Sequence, residues 1–333
     1  MINFTLHIPH STLHIPHSTF HTPHSTLHIP HSTLHTPHFT FHTPHFTFHI
    51  APKVHTMFID THCHIDSYER HASETFDALL SRFKNASFAD SFSSAKEKAA
   101  ASKIERPEAF IHVACDPADF EYARELSEKY PFVYTAYGIH PEYVETETAE
   151  DEKRMMEFLK HPKCVACGEF GLDYHYGAET KAAQVKLFER HLQLGLESGK
   201  PLVLHLREAD DDALAVLRAA NLHDRKIHIH CFTGTPDFVE KLLALDAQIF
   251  VGFTGIVTFN NAQNVRDAAA LVPLEQMLLE TDSPYMAPVP FRGKPCHSGY
   301  IPFIAEKLAE IKNVPVAEFY KHCRENTRKC YGI

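Results

Sequence analysis

The chain has 333 residues, of which 44% are hydrophobic and 22% are charged, and its formal net charge at pH 7 is −10. An acidic chain is not a general binder of nucleic acid through bulk electrostatics, so a phosphate substrate would need metal ions and a local basic patch to hold it. No apolar run is long enough to cross a bilayer, and the amino terminus lacks the pattern of a secretion signal, so we expect a cytoplasmic protein without membrane contact.

A heptapeptide repeat fills residues 5–50, with units such as TLHIPHS, TFHTPHS and TFHTPHF. Each unit contains a proline, which prevents a continuous helix and disrupts a central strand, so we expect this segment to be extended or disordered. We interpret residues 1–56 as a low-complexity segment, or as a translated DNA repeat upstream of a functional start at Met57. The folded domain is then expected at residues 57–333.

From Met57 onward, short apolar runs alternate with longer amphipathic ones. The predicted strands are 58–62, 109–114, 132–138, 164–169, 202–206, 226–231, 248–253 and 277–281. The predicted helices are 72–103, 118–129, 149–160, 181–198, 208–220, 236–245, 262–271, 300–312 and 316–331. Eight strands, each followed by a helix, are the number in a (β/α)8 TIM barrel, although an open doubly wound sheet also alternates these elements.

The eight cysteines are scattered along the chain and do not form the spacing of a disulfide framework. Cys164 and Cys167 form a C-x-x-C pair, but it lies within an apolar run and has no second pair to complete a zinc site. We therefore predict that these two cysteines pack inside a buried strand.

Imidazoles and carboxylates recur at the carboxyl ends of predicted strands one, four, five, six and eight. These residues are His62, His64, Glu169, His205, His230 and Asp282. In a barrel those strand ends converge on one mouth, whereas in an open sheet they would be spread along a row. Four imidazoles and two carboxylates suit one or two divalent ions, so the pattern favours a TIM barrel with a hydrolytic metal site.

Some of these assignments leave alternatives open. His228 and His230 share one face of the sixth strand, and His230 is favoured because it lies nearer the carboxyl end. Taken singly, His205 is equally a core histidine, Glu169 a cap or ion-pair residue, and Asp282 the start of a turn. Their coincidence at corresponding strand ends favours the metal site.

Six ordered motifs resemble the signatures of the TatD family of metal-dependent hydrolases, in the amidohydrolase superfamily. The motifs are Met57 to His64, Gly138-Ile139-His140-Pro141, Gly168 to Tyr174, His205 to Ala209, His230 to Gly234, and Glu280-Thr281-Asp282-Ser283-Pro284. The resemblance covers residues 57–333. It implies a metal-dependent TIM barrel with deoxyribonuclease activity, notably 3′-to-5′ exonuclease activity on single-stranded DNA.

The resemblance also implies roles for individual residues. His62 and His64 bind one divalent ion together with Asp282, Glu169 bridges two ions, and His205 and His230 hold the second. A His-Pro element and an arginine-containing loop lie near the substrate in this family, and they match His140 and the segment from Arg292 to Lys294. The chain departs from the family pattern at Pro295–Gly299, and residues 73–103 look like an enlarged first crossover of unknown role.

We expect phosphodiester hydrolysis with two divalent cations, Mg²⁺, Mn²⁺ or Zn²⁺, and with Asp282 and Glu169 as the catalytic carboxylates. A water molecule between the ions passes a proton to Asp282 and attacks the terminal phosphorus. Arg207, Arg292 and Lys294 are candidate phosphate ligands, although Arg207 suits an outer salt bridge equally well.

DNA is the expected partner, and no obligate protein partner is inferred. One alternative is a hydrolase of a small ester, lactone, amide or phosphate, because a binuclear site attacks carbon or phosphorus with little change. Another is a non-catalytic protein that binds metal through its amino-terminal histidine repeat.

Overall fold

The computed structural model describes residues 57–333, and the prediction for residues 1–56 lies outside the described residues. Eight parallel strands are hydrogen-bonded in chain order. The strands are β1 (Ile59–Cys63), β2 (Ala109–Ala114), β3 (Val133–Tyr137), β4 (Cys164–Asp173), β5 (Leu202–Arg207), β6 (Lys226–Ile229), β7 (Gln248–Phe253) and β8 (Met277–Leu279). A bridge from Cys63 to Ser283 brings the first strand next to the chain that follows β8. The predicted TIM barrel is confirmed, and the open doubly wound sheet is excluded.

Helices lie between the strands, so each strand is buried on both sides. The helices are α1 (Ile65–Ala72), α2 (Phe76–Asn85), α3 (Ala95–Ala100), α4 (Phe120–Lys129), α5 (Ala149–Phe158), α6 (Lys181–Ser198), α7 (Asp210–Ala219), α8 (Pro236–Leu243), α9 (Gln263–Leu271), α10 (Ile301–Lys312) and α11 (Val316–Tyr331). None of the helices within residues 57–333 combines the length and the apolar composition needed to cross a membrane. Cys164 and Cys167 are buried in β4, as predicted.

The predicted single helix at 72–103 is wrong, because local capping signals divide this stretch. Ser73 ends α1 with a left-handed φ of 51°, and the Thr75 side chain accepts a hydrogen bond from the backbone at the start of α2. Ser94 and Glu97 then form a capping box that begins α3. Capping side chains satisfy orphan backbone donors, so one or two residues outweigh the helical pattern around them.

The first crossover packs against the loop that follows β8, at residues 285–299. The ring of Phe88 lies 5.0 Å from the ring of His297, and the ring of Phe92 lies 4.8 Å from that of Phe291. These four rings are buried. The first crossover, at residues 73–103, therefore holds in place the loop that contains Pro295–Gly299.

His297 gives a stability prediction. The imidazole is 3% exposed, and within residues 57–333 neither ring nitrogen has a hydrogen-bond partner. Burying unpaired polar groups costs free energy, so we expect His297→Phe to raise the free energy of unfolding by about 1 kcal/mol. Urea denaturation of both proteins measures the difference.

The same substitution carries a pH signature. Burial, followed by the charge of Arg82, lowers the pKa of His297 to about 3. Between that value and the ordinary histidine pKa of about 6.5, the unfolded chain binds a proton that the folded chain does not, so stability falls as the pH falls. We expect the stability advantage of His297→Phe over the parent to grow from pH 7.5 to pH 5.5. A variant less stable than the parent at both pH values contradicts this prediction.

Candidate metal centre

Two glycines in β4 allow Glu169 to enter the mouth of the barrel. Gly168 and Gly171 have φ of 143° and 151°, and a Cβ atom at these positions would lie 2.3 Å from the Val203 carbonyl oxygen and 2.1 Å from that of His205. Larger residues are excluded at both positions by backbone conformation and by space. β4 therefore approaches β5 closely on both sides of Glu169, whose carboxylate is buried.

The two histidines of the first strand point to one place. Their Nε2 atoms are 3.2 Å apart. The Nδ1 atom of His64 lies 2.9 Å from the Val113 carbonyl oxygen and donates to it, which leaves Nε2 as the nitrogen directed inward. That Nε2 atom is 3.4 Å from Glu169 and 3.3 Å from Asp282. The predicted half-site of His62 and His64 therefore faces both predicted carboxylates.

The other two predicted histidines also contact Glu169. His230 Nε2 is 2.6 Å from Glu169 Oε2, and His205 Nδ1 is 3.5 Å from the same oxygen. The Nε2 atom of His205 is 3.0 Å from Asp173 Oδ2 and donates to it, so Nδ1 is the nitrogen that a bound cation would contact. The structure thus places Glu169 between two pairs of imidazoles.

The choice between His228 and His230 follows from their neighbours. His228 Nδ1 is 2.6 Å from the hydroxyl of Tyr331, and its Nε2 atom is 2.9 Å from Glu280. Both ring nitrogens of His228 therefore face groups that are not among the predicted metal ligands. Glu280 also accepts a hydrogen bond from the backbone N–H of Cys231, beside His230. His228 supports the floor of the site, while His230 lies within the cluster.

Asp282 is positioned by hydrogen bonds that join the first strand to the chain after the last strand. The carboxylate of Asp60 accepts from the backbone N–H of Thr281 at 3.0 Å and from its hydroxyl at 2.6 Å. The backbone N–H of Asp282 donates to the carbonyl oxygen of His62 at 2.9 Å. Asp282 therefore stands beside the first strand although it follows the last one.

The donor set fits divalent cations. Four imidazoles and two carboxylates converge, and Glu169 belongs to two groups of three donors, one with His62 and His64 and the other with His205 and His230. The Nε2 atoms of His62 and His64 are 3.2 Å apart, and His205 Nδ1 lies 3.0 Å from His230 Nε2, so each pair directs two ring nitrogens to one place. Imidazoles and carboxylates together are preferred ligands of Zn²⁺, Mn²⁺ and related ions.

The protonation states of the two carboxylates and of His62 agree with this fit. Burial opposes ionisation of Glu169, but the neighbouring imidazoles of His230 and His62 hold its pKa well below its usual range. Burial likewise opposes ionisation of Asp282, and its hydrogen bond with His64 lowers its pKa below the ordinary value. Burial and the neighbouring His230 lower the pKa of His62 to about 3. Ionised carboxylates and a neutral imidazole are the forms that bind metal.

A cavity of about 380 Å³ opens over the cluster. Of the predicted substrate residues, His140 and Arg207 line it. Within residues 57–333, Arg292 and Lys294 are not among its lining residues, and the guanidinium of Arg292 lies 3.9 Å over the ring of Phe259. The structure therefore brings two of the four predicted substrate residues to the site, and a substrate role for the other two stays a prediction.

Asp173 is a functional candidate that the sequence did not single out, although it belongs to the Gly168–Tyr174 motif. Its Oδ1 atom accepts from the backbone N–H groups of His175 and Tyr176, which leaves Oδ2 for His205. A carboxylate bonded to the far nitrogen of a metal-binding imidazole fixes its tautomer and orientation. The only sequence signal was the strand itself, because β4 continues to Asp173 instead of ending at Glu169.

We expect Asp173→Asn to weaken metal binding by about 10- to 100-fold. The asparagine oxygen keeps the two backbone bonds, so its amide NH₂ faces the N–H of His205 and opposes the required tautomer. Titration with Mn²⁺ measures the affinity. Asp116→Asn, a substitution in the same cavity outside the cluster, is the control. Equal affinities of the two variants would contradict a positioning role for Asp173.

The sequence model of a family described as TatD related DNase matches residues 59–332. The human 3′-5′ RNA nuclease TATDN2 is 34% identical over 294 residues, which cover 85% of this chain and 36% of the human protein. The chain thus spans about a third of the length of that relative. The uncharacterized metal-dependent hydrolase YcfH of Escherichia coli K12 is 35% identical over 277 residues, which cover 83% of this chain and 96% of that protein.

Solved structures share the architecture. The crystal structure of YJJV, a TatD homologue from Escherichia coli K12, superposes with a TM-score of 0.69 at 26% identity and covers 83% of this chain and 98% of its own. A TatD family hydrolase from Entamoeba histolytica superposes with a TM-score of 0.67 at 20% identity, over 83% of this chain and 98% of its own. The second likeness concerns the fold alone.

Proposed function

The chain belongs to the TatD family of metal-dependent hydrolases, and on this premise we propose that it removes nucleotides from the 3′ end of single-stranded DNA. The proposal rests on one observation, which is Glu169 between two pairs of imidazoles at the floor of an open cavity. We infer that His62, His64 and Asp282 would hold one divalent ion, that His205 and His230 would hold another, and that Glu169 would serve as a ligand in both groups. Bound divalent cations would supply charge neutralisation at the phosphate and a more acidic water molecule.

The carboxylate of Asp282 is the proton acceptor in this proposal. It is ionised, it lines the cavity, and its side chain is 11% exposed, so it is accessible to water and substrate in the cavity. A general base must lie within hydrogen-bond reach of the proton that it removes, and Asp282 meets this condition from the wall of the cavity. Glu169, with its side chain 3% exposed, orients the donors on both sides.

Two cavity residues suit the non-bridging phosphate oxygens. The ring of His140 accepts the backbone N–H of Glu142 at Nδ1, so its proton lies on Nε2, which is free to donate. Burial and then the neighbouring His205 lower the pKa of His140 to about 3, so the ring is neutral. Arg207 provides a planar guanidinium with several donors at the same cavity.

RNA is the second candidate substrate, because the human relative is named a 3′-5′ RNA nuclease. The test uses single-stranded DNA and RNA of the same sequence, labelled at the 3′ end, with Mg²⁺ or Mn²⁺. Release of labelled nucleotide from DNA supports the proposal, and release from RNA alone reassigns the substrate. If neither is cleaved while a chromogenic ester or lactone is hydrolysed, the small-molecule alternative replaces it.

We also propose that residues 57–333 are sufficient for metal binding and hydrolysis. All six proposed ligands lie in this part of the chain. A chain that begins at Met57 is therefore expected to retain the metal content and the specific activity of the full chain, as measured by elemental analysis and nuclease assay. Loss of bound metal on removal of residues 1–56 would instead favour the histidine repeat as the metal-binding element.

A further inference from the structure

Two tyrosines are exposed at the rim of the cavity. The side chains of Tyr176 and Tyr285 are 74% and 44% exposed. Three other large hydrophobic residues in the described part of the chain are comparably exposed: Met57, Leu271 and Val316. None of these three lines the cavity, whereas both tyrosines do. Exposed aromatic residues at a binding site therefore need a functional explanation.

Both rings are held in place by the elements that build the metal centre. The backbone N–H of Tyr176 donates to Asp173 at 3.0 Å, and the guanidinium of Arg207 lies 4.9 Å from the centre of its ring. The backbone N–H of Tyr285 donates to the carbonyl oxygen of Asp282 at 2.9 Å. Each ring is thus tied to the cluster through a short turn.

The tyrosines also stand on different sides of the barrel. Tyr176 follows β4 and Tyr285 follows β8, and these strands are four positions apart in the eight-stranded order. A chain that crosses the cavity with a phosphate over Glu169 would meet one ring on each side of that phosphate. The centre of the Tyr285 ring is 6.4 Å from the centre of the His64 ring, so Tyr285 lies next to the proposed metal ligands.

We infer that Tyr176 and Tyr285 are stacking surfaces for unpaired nucleobases on either side of the scissile phosphate. This inference rests on the proposed nuclease function and adds the residues that hold the bases. Aromatic faces stack on every base, so they bind single strands without sequence preference in an acidic protein that lacks bulk electrostatic attraction. Arg207 below Tyr176 adds a cation next to the backbone of the strand. Bases held in a duplex are not free to stack on these rings.

The test compares Tyr→Leu with Tyr→Phe at each position in the full chain with its metal. Leucine removes the aromatic plane, whereas phenylalanine keeps it and removes only the hydroxyl. We expect Tyr176→Leu and Tyr285→Leu each to raise KM for a single-stranded oligonucleotide by about tenfold with little change in kcat, and each Phe variant to match the parent. Metal content is expected to be the same in all five proteins.

A second substrate separates stacking from a structural role. The same oligonucleotide with abasic residues at its 3′ end offers phosphates without bases, so the Leu variants are expected to cleave it with the KM of the parent. Leu variants that match the Phe variants on the normal strand, or that raise KM equally on the abasic strand, overturn the stacking inference while the nuclease function stands. A parent protein that cleaves neither DNA nor RNA overturns the proposed function, and the stacking inference falls with it.

Discussion

Replacing Asp282 with asparagine is expected to lower kcat by about 10²- to 10⁴-fold, the usual contribution of a positioned general base. Asparagine keeps the shape of the side chain and one oxygen, but it has no basic carboxylate to accept the proton of the attacking water. The backbone bond from Asp282 to the carbonyl oxygen of His62 remains in the variant, so the loop keeps its place. Initial rates at saturating Mn²⁺ on a 3′-labelled single strand measure the effect.

Glu142→Gln is the matched control for this variant. Glu142 lines the same cavity, but its side chain is 60% exposed and its carboxylate faces His140, outside the cluster. Removal of a carboxylate from the rim is expected to change kcat by less than the loss of the proton acceptor. Equal activity of Asp282→Asn and the parent at the same metal occupancy would exclude Asp282 as the base.

The barrel and the cluster could be predicted from the sequence because they rest on repeated signals. Eight apolar runs separated by amphipathic stretches specify alternating strands and helices, and the structure has a strand at each of the eight runs. Strand direction then places every strand end at one mouth, so His62, Glu169, His205 and Asp282 are found by position alone. The last strand is predicted to end at residue 281, whereas β8 ends at Leu279. An error of two residues does not move a side chain to the other end of the barrel.

Other features depend on single contacts, for which the sequence carries no periodic signal. The split of residues 72–103 depends on individual caps such as Thr75 and Ser94. The hydrogen bond from His205 to Asp173 exists because β4 continues as far as Asp173. That continuation follows from the close approach of β4 and β5 at two glycines. Arg292 has a suitable charge, but its guanidinium lies over Phe259. Charge alone therefore did not predict which cations reach the cavity.

The role of the first crossover likewise requires the fold. Its aromatic residues read as ordinary core positions in the sequence, and their partners are about two hundred residues away in the loop after β8. That loop leads from Asp282 to the segment where the chain departs from the family pattern. The packing of Phe88 on His297 therefore joins the first crossover to the loop that contains Pro295–Gly299.

Glu169→Gln is expected to have the second large effect, and it acts on metal binding. Glu169 is common to both donor groups, whereas the proposal assigns Asp282 to one ion only. The variant has an amide at the only position shared by both groups. We expect a loss of metal affinity greater than the 100-fold upper value for a positioning residue, with loss of both ions and of hydrolysis. Asp282→Asn is expected to retain at least one ion.

The pH dependence of metal binding gives a second test of the role of Glu169. Burial lowers the pKa of His205, but its hydrogen bonds with Asp173 and Glu169 outweigh burial and raise it to about 9. Metal binding must displace that proton, so the affinity of the parent for Mn²⁺ is expected to rise with pH up to about pH 9. Without the charge of Glu169 the pKa of His205 falls, and any remaining affinity should depend less on pH. Metal-to-protein ratios and titrations at several pH values test both statements, and a Glu169→Gln protein with a full metal complement would rule out a shared carboxylate.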